Sequence, residues 1–147
     1  MARTAGARSE ELHSDSLRVL LVEDFLDLAE VSADFLRSFG FDVRMTASGR
    51  DALEIAAVFD PAIVLTDLRL PDMSGLDLAK ALRARLHSDR LLIAILTGVS
   101  SAELRSIEQQ EAPTVDLFLP KPLNEQMVND IRAAFNGLQR QDSGLRP

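Results

Sequence analysis

The sequence predicts an α/β fold in which five parallel strands form one sheet and five helices connect them. Short apolar runs alternate with amphipathic segments five times between Leu17 and about Leu138, which is typical of strands joined by helical crossovers. At 147 residues, 46% of them hydrophobic, the chain is long enough for one domain with a substantial core. Five polar residues stand at or directly after the carboxyl ends of four of the apolar runs: Glu23, Asp24, Asp67, Thr97 and Lys121.

The first half of the chain predicts two strands and two helices. Residues 17–22 form an apolar run and residues 41–47 alternate between apolar and polar side chains, so both are predicted strands. The helix between them ends at Gly40, and a second helix begins at Ser48 and ends before Pro61. The apolar positions of the first helix recur at close to 3.6 residues and predict its buried stripe: Leu28, Val31, Phe35, Leu36 and Phe39.

The second half predicts three strands and three helices. A loop rich in turn residues, 67–75, precedes the first of these helices. Ser100 and Glu103 have the spacing of a capping box, and Asn124 is placed to cap a final helix that runs to Leu138. The three apolar runs that predict strands are residues 62–66, 91–96 and 116–119.

This number of elements in this length indicates a flavodoxin-like, doubly wound sheet with strand order 2-1-3-4-5. Strands 1 and 3 are then neighbours, so the acids that follow them meet at the crevice where such sheets bind ligands. The predicted domain covers residues 17–138. Residues 1–16 are polar and aperiodic and are predicted to be a mobile extension, and residues 139–147 a C-terminal tail.

The composition excludes several classes of function. Cysteine is absent, which excludes disulfides, thiolate metal sites and cysteine nucleophiles. The net charge of −7 argues against direct binding to nucleic acid, which relies on clustered basic residues. Because no apolar stretch approaches the ~20 residues that span a bilayer, and the N-terminus lacks the apolar core of a signal peptide, we expect a cytoplasmic protein that does not enter a membrane.

The three acids at the predicted crevice indicate a metal and phosphoryl site. Two carboxylates about 4 Å apart repel each other by about 4 kcal/mol at an effective dielectric constant of 20, so a cation is needed close by. Oxygen ligands of this kind suit Mg²⁺. An aspartate at the rim of such a site acts as the nucleophile in aspartyl-phosphate enzymes, and Mg²⁺, the Lys121 ammonium and the Thr97 hydroxyl would neutralise the phosphoryl oxygens.

Each of these residues also has a plain structural interpretation. The Glu23–Asp24 pair is typical of a helix N-cap, and Asp67 is typical of a turn. Thr97 alone is typical of a cap, and Lys121 alone of a solvated strand end. The placement of all five at the ends of strands 1, 3, 4 and 5 favours the functional interpretation.

Four stretches of the chain resemble the receiver domain of bacterial two-component response regulators. They are VLLVED at 19–24, IVLTDLRLPDMSG at 63–75, ILTG at 95–98 and FLPKP at 118–122. The resemblance implies that Asp67 accepts a phosphoryl group from a phosphohistidine on a partner histidine kinase or phosphotransfer protein.

The resemblance also implies a magnesium site. Asp24 and Asp67 would bind Mg²⁺ through their carboxylates, and Glu23 would act through a water molecule. The backbone carbonyl of Arg69 would complete the protein ligands.

The remaining site residues implied by the resemblance hold the phosphoryl group or respond to it. Lys121 would pair with the phosphoryl oxygens, Thr97 would donate a hydrogen bond to one of them, and Gly98 would leave the group accessible. The Lys121–Pro122 peptide bond is usually cis in this family. Phe118 matches an aromatic switch residue whose ring would fill the space that Thr97 leaves, although such a residue on a strand is otherwise ordinary core.

The implied function is signalling by phosphorylation. Such a protein is not an enzyme with turnover, because it assists only its own phosphorylation and dephosphorylation. Its 100–138 face would switch and would bind a downstream protein target or pass the phosphoryl group on, and homodimer formation stays open. The short remainder after the last helix predicts a stand-alone receiver, and a receiver excised from a hybrid kinase is the nearest variant.

Two other functions stay open. The first is a degenerate receiver that acts as a phosphorylation-independent interaction module. The second is a magnesium phosphatase of the haloacid dehalogenase type, but that class uses a second aspartate where this chain has Arg69. The chain departs from the common receiver pattern at Phe25 after the acid pair, in the loop 112–115 before the last strand and at Pro120 before Lys121. Arg69 and Val99 stand two residues after Asp67 and Thr97, at positions that in the family tune how long the phosphoryl group survives.

Overall fold

Five parallel strands and five helices alternate along the chain in the computed structural model, which describes residues 16–88, 90–98, 101–111 and 114–142. The strands form one sheet in the order β2-β1-β3-β4-β5, which confirms the predicted doubly wound topology. The elements are β1 Arg18–Val22, α1 Leu26–Ser38, β2 Asp42–Thr46, α2 Gly49–Phe59, β3 Ile63–Asp67, α3 Gly75–Leu86, β4 Leu92–Thr97, α4 Ser101–Glu111, β5 Leu117–Pro120 and α5 Glu125–Asp142.

The strand register brings the carboxyl ends of four strands to one edge of the sheet. Val22 at the end of β1 pairs with Thr66 of β3, and Asp67 at the end of β3 pairs with Leu96 of β4. Thr97 at the end of β4 pairs with Pro120 at the end of β5. Because the strands are parallel, the polar residues that end them lie side by side, as the sequence predicted.

The two faces of the sheet bury separate apolar clusters. Along β1, Val19 and Leu21 belong to the cluster that also contains Phe135 of α5, whereas Leu20 and Val22 belong to the cluster on the opposite face. This alternation follows from the two-residue period of a strand. Burial on both faces explains why β1, β3 and β4 appear as continuous apolar runs in the sequence.

Polar caps begin three of the helices. The hydroxyl of Ser48 accepts a hydrogen bond from Asp51 N at 3.2 Å, and that of Ser74 accepts one from Asp77 N at 3.0 Å. The side chain of Asn124 accepts a hydrogen bond from Met127 N at 2.9 Å, so Asn124 caps α5 as predicted. Each cap satisfies a backbone N–H that has no partner inside its own helix.

The buried stripe of α1 agrees with the prediction at Leu36 and differs from it at Val31. The residues buried on this helix are Ala29, Ala33 and Leu36, and Val31 is 66% exposed. Phe35 and Phe39 of the predicted stripe pack against the core cluster that contains Leu36, and the buried positions also include two alanines that the prediction did not name. Val31 is therefore turned towards solvent by a rotation of the buried face.

The final helix is longer than predicted. It continues past Leu138 to Asp142, so residues 139–142 of the predicted tail are helical. Gly137 lies inside this helix and does not end it, and Leu138 packs against the core cluster that contains Phe135. Burial of Leu138 offsets the roughly 1 kcal/mol by which glycine disfavours a helix interior.

Several predictions fall outside the described residues. These are the extension over residues 1–15, the tail over 143–147, Ser100 of the capping box, Val99, and residues 112–113 of the loop before β5. Within the described residues, no helix has both the length and the apolar character needed to cross a membrane.

The two outermost strands of the sheet carry polar or proline residues. On β2, Asp42 and Arg44 are exposed and flank buried Val43. On β5 the last residue is Pro120, which has no backbone N–H. Proline in a sheet is confined to such outer positions, where a missing donor breaks no ladder bond.

Candidate functional site

Three carboxylates lie together at the carboxyl edge of the sheet. Asp67 is the last residue of β3, and Glu23 and Asp24 directly follow β1. Each of the three offers an oxygen atom, and these oxygens all lie within 4.8 Å of one another. The structure thus brings together the three acids that the sequence placed at strand ends.

The Lys121 ammonium lies between two of these carboxylates. Its Nζ is 2.9 Å from Oε1 of Glu23 and 3.1 Å from Oδ1 of Asp67. The side chains are largely withdrawn from water, with 25% of Lys121, 16% of Asp67 and 6% of Glu23 exposed. Lys121 is therefore not a solvated strand end, and its contacts link the ends of β1, β3 and β5.

Glu23 is held at both of its carboxylate oxygens. Besides the contact of Oε1 with Lys121, its Oε2 accepts a hydrogen bond from Phe25 N at 3.0 Å. The N-cap of α1 is Phe25, whose side chain makes no cap hydrogen bond, so the acid pair is not the N-cap of this helix. Asp24 is exposed, so it lies on the solvent side of the cluster.

The carboxylates raise the pKa of Lys121. Burial alone lowers the pKa of an amine, but the hydrogen bonds and negative charges of Glu23 and Asp67 outweigh this effect, and the pKa of Lys121 lies above its ordinary value. The side chain is therefore a permanent cation at neutral pH. Three carboxylates and this one ammonium leave a formal charge of −2 at the site.

The donor set of the acid cluster suits a hard divalent cation. All three ligand groups are carboxylate oxygens, which Mg²⁺ prefers to nitrogen or sulfur. Opposite oxygens around an octahedral Mg²⁺ are about 4.2 Å apart, so the 4.8 Å spread needs only a small contraction. A divalent cation would also match the formal charge of the cluster.

The end of β4 supplies a buried hydroxyl followed by an open position. Thr97 is 1% exposed, and its backbone carbonyl accepts a hydrogen bond from Lys121 N at 2.9 Å. Gly98 is exposed, and a methyl group built on it would meet no atom within 4 Å. The position that directly follows β4 therefore carries no side chain and has open space around it.

Phe118 shares a face of the sheet with Thr97. It pairs with Ile95, two residues before Thr97, so the period of the strand places both side chains on the same side. Its ring is half-buried and packs against the core cluster that contains Ile95. The Lys121–Pro122 peptide bond that follows β5 is cis, as expected from the resemblance.

The loop after Asp67 folds back on itself and carries Arg69. Arg69 and Ser74 form an isolated antiparallel bridge, and Leu70 N donates to Met73 O at 3.1 Å. At its base, Gly75 N donates to Leu68 O at 2.7 Å. The side chain of Arg69 is exposed, and its backbone is constrained by this narrow turn.

Gly75 is needed for the close return of this loop. A methyl group built on Gly75 would overlap the backbone carbonyl oxygen of Asp67. Any larger residue would therefore displace the backbone of Asp67 itself.

One residue near the site was missed by the sequence analysis. Asp72, in the loop after Asp67, accepts hydrogen bonds from Gly49 N and Arg50 N, both at 2.9 Å. These hydrogen bonds lower the pKa of Asp72, and the bond from Gly49 N has the largest effect. Position 72 reads as one of several turn residues, and no local pattern pairs it with a helix that begins 23 positions earlier.

Comparison with known proteins identifies the relatives of this chain. Residues 19–132 match the family model of the response regulator receiver domain. The cell cycle transcriptional regulator CtrA of Caulobacter vibrioides is 34% identical over 119 residues, which are 80% of this chain and 49% of CtrA. The regulatory protein LuxO of Vibrio vulnificus is 32% identical over 126 residues, which are 86% of this chain and 26% of LuxO.

Solved structures agree with this relationship. A sensor protein from Polaromonas sp. JS666 superposes with a TM-score of 0.72 at 30% identity, covering 83% of this chain and 98% of that one. A CheY-like response regulator receiver domain from Methylobacillus flagellatus gives a TM-score of 0.69 at 29% identity, covering 79% and 98%. The present chain spans about half of CtrA and a quarter of LuxO. With its sheet order, its acid cluster and a family match over most of its described residues, this chain belongs to the response regulator receiver domain family.

Proposed function

We propose that this protein is a phosphoacceptor that takes a phosphoryl group on Asp67 from a phosphohistidine of a partner kinase or phosphotransfer protein. The observation that carries the proposal is the position of the Asp67 carboxylate. It lies at the carboxyl end of the sheet, 3.1 Å from the Lys121 ammonium and clustered with Glu23 and Asp24.

The proposed reaction is a displacement at phosphorus. A carboxylate oxygen of Asp67 forms the new P–O bond while the P–N bond of the phosphohistidine breaks. The electron pair of the broken bond stays on the imidazole nitrogen, which takes up a proton. Because Lys121 contacts Oδ1 of Asp67, we assign the attack to Oδ2.

The charge of the transferred group is the main obstacle to this step, and the residues around Asp67 are suited to offset it. The Lys121 ammonium lies within reach of the phosphoryl oxygens, and the open position at Gly98 leaves room for the incoming group. In the proposal Mg²⁺ bound by Asp24, Asp67, the Arg69 carbonyl and, through water, Glu23 would supply further positive charge to the transferred group.

The proposed response to phosphorylation begins at Thr97. A phosphoryl group adds roughly −1.5 to −2 charges, which would draw the Thr97 hydroxyl towards Asp67. Phe118, half-buried on the same face of the sheet, would then move into the vacated space. Through β5 this change would reach the 100–138 face, which we propose as the surface that binds a downstream protein target.

The proposal includes three broader points. The protein would not turn over a substrate, because the phosphoryl group stays on its own Asp67. The phosphodonor would be another protein, and the protein would act in the cytoplasm, where the ATP used by histidine kinases is made. Direct binding to nucleic acid is not part of the proposal, in keeping with the net charge of −7.

The decisive experiment is an intact-mass measurement after incubation with acetyl phosphate. We expect the wild-type protein to gain one phosphoryl group only when Mg²⁺ is present, and Asp67→Asn to gain none. Asp51→Asn, an exposed aspartate in the first turn of α2, is the matched control and should gain the group like the wild type. Failure of the wild type to gain the group from either acetyl phosphate or phosphoramidate would refute the proposal and favour a phosphorylation-independent interaction module.

A further inference from the structure

The loop that carries Arg69 is fixed at two ends. At its base, Leu68 N donates to Leu96 O of β4 at 3.2 Å, and Gly75 N returns to Leu68 O. At its tip, the Asp72 carboxylate accepts the hydrogen bonds of Gly49 N and Arg50 N. The Arg69 carbonyl therefore belongs to a backbone segment that is hydrogen-bonded to β4 at its base and to the first turn of α2 at its tip.

The contact at the tip is a helix cap supplied from a distant loop. The first N–H groups of a helix have no partner within it, and in α2 the Asp72 carboxylate takes two of them while the Ser48 hydroxyl takes that of Asp51. A carboxylate at this position is also favoured by the positive end of the helix dipole. The interaction is thus charge-assisted at both oxygens, which makes it stronger than a contact between neutral groups.

A second contact holds the same tip. The Met73 side chain packs directly on Gly49, because a methyl group built on Gly49 would lie 2.5 Å from the Met73 sulfur. Met73 and Asp72 therefore both contact the beginning of α2. The Asp72 side chain is exposed. Its contact with α2 therefore holds the loop through directional hydrogen bonds and not through the burial of apolar surface.

We propose that Asp72 is a positioning residue for the metal site, because its two hydrogen bonds to α2 fix the loop that presents the Arg69 carbonyl. This inference rests on the proposed function, in which that carbonyl is a ligand of Mg²⁺. Mg²⁺ requires near-ideal octahedral geometry, whereas Ca²⁺ accepts irregular and variable coordination. Release of the tip should therefore weaken the binding of Mg²⁺ more than that of Ca²⁺.

The test compares Asp72→Ala with Ser48→Ala. Both substitutions remove side-chain hydrogen bonds from the first turn of α2, but only Asp72 connects that turn to the loop. Affinities for Mg²⁺ and Ca²⁺ are measured by titration of backbone amide NMR signals, since the chain contains neither tryptophan nor tyrosine for fluorescence. Hydrogen exchange of the Leu70 amide, which is bonded to Met73 O, reports the order of the loop before any metal is added.

We expect Asp72→Ala to weaken Mg²⁺ binding by about fivefold, somewhat less than the roughly 10–100-fold effect of removing a group that directly supports a metal ligand. Ca²⁺ binding should change by less than twofold, and Leu70 exchange should accelerate in the metal-free protein. Ser48→Ala should alter none of the three, and Asp72→Asn, which keeps one accepting oxygen, should be intermediate. Equal losses in Asp72→Ala and Ser48→Ala, or unchanged Leu70 exchange in Asp72→Ala, would overturn the inference.

The two proposals fail in different ways. If Asp24→Asn and Asp67→Asn bind Mg²⁺ as tightly as the wild type, the proposed metal site is wrong, and Leu70 exchange still decides whether Asp72 orders the loop. If those two variants lose Mg²⁺ but Asp72→Ala keeps the wild-type affinity, the positioning role alone is wrong.

Discussion

Replacement of Lys121 by methionine tests how much the ion pairs at the sheet edge contribute to stability. The substitution keeps most of the apolar stem of the side chain but removes the ammonium, which lies 2.9 Å from Glu23 and 3.1 Å from Asp67. At about 3 Å and an effective dielectric constant of 20, each contact has a gross Coulomb energy of about 5 kcal/mol. Most of this is offset by the cost of withdrawing the charges from water.

The net change in the free energy of unfolding depends on how deeply the Lys121 ion pairs are buried. Removal of one partner of a fully buried pair costs about 3–5 kcal/mol. Here 25% of the Lys121 side chain is exposed and Glu23 keeps the hydrogen bond from Phe25 N, so we expect a loss of about 2 kcal/mol, less than that range. For a domain of this size such a loss lowers the Tm by about 8 °C.

The assay is thermal and urea unfolding of Lys121→Met beside Lys80→Met, the same change at an exposed lysine of α3. The control should lose no more than about 0.5 kcal/mol, as for most surface substitutions. Because the folded protein raises the pKa of Lys121, its contribution is complete below the unfolded lysine pKa and is lost as the pH rises through the folded value. The difference between wild type and Lys121→Met should thus be constant from about pH 6 to 9 and shrink only above about pH 10.4. Equal stability of the two variants would refute this reasoning.

Four further substitutions test other parts of the structure. Gly75→Ala should destabilise the fold by at least about 2 kcal/mol and slow phosphorylation by acetyl phosphate, because the added methyl group displaces the backbone of Asp67. Gly137→Ala, in an open position of α5, should stabilise the fold by about 0.5–1 kcal/mol in the same unfolding assay. Arg83→Met should cost about 2–3 kcal/mol in urea unfolding. The Arg83 guanidinium donates to two backbone carbonyls and one carboxylate, and so joins α3 to the residue before β4 and to the loop before β5. A loss below about 0.5 kcal/mol would contradict this. Phe25→Ser should leave the Tm and the reaction with acetyl phosphate unchanged but slow phosphoryl transfer from a phosphohistidine protein. The reason is that the Phe25 ring, 61% exposed beside the acid cluster, would dock the donor protein. Equal slowing with both donors would contradict this docking role.

The clustering of the strand-end residues could be predicted because each strand can be recognised locally in the sequence. The order of the strands in the sheet then determines which strand ends are neighbours. Buried parallel strands appear as apolar runs, and the carboxyl ends of such strands share one edge of the sheet. The contact between Lys121 and Glu23 joins residues 98 positions apart, yet the topology alone brings them together. The clustering of Glu23, Asp24 and Asp67 could be predicted for the same reason.

Other features could not be predicted because they depend on packing that leaves no local pattern. The buried face of α1 includes Ala29 and Ala33, whereas periodicity gives most weight to large residues such as the exposed Val31. The bonds of Asp72 with the beginning of α2 depend on how the loop after β3 folds back over the sheet edge. The sequence around a turn-forming residue does not indicate which distant backbone groups will donate hydrogen bonds to its side chain.

The outer strands of the sheet also limit how two copies of this protein could associate. Unpaired outer strands are natural templates for adding a strand from another chain, and proteins oppose this with charged side chains and proline. Here exposed Asp42 and Arg44 stand on one outer strand, and Pro120 ends the other without an N–H to donate. A continuous sheet across two protomers is therefore disfavoured at both edges, which favours the helical surfaces over the strand edges for contacts between two copies.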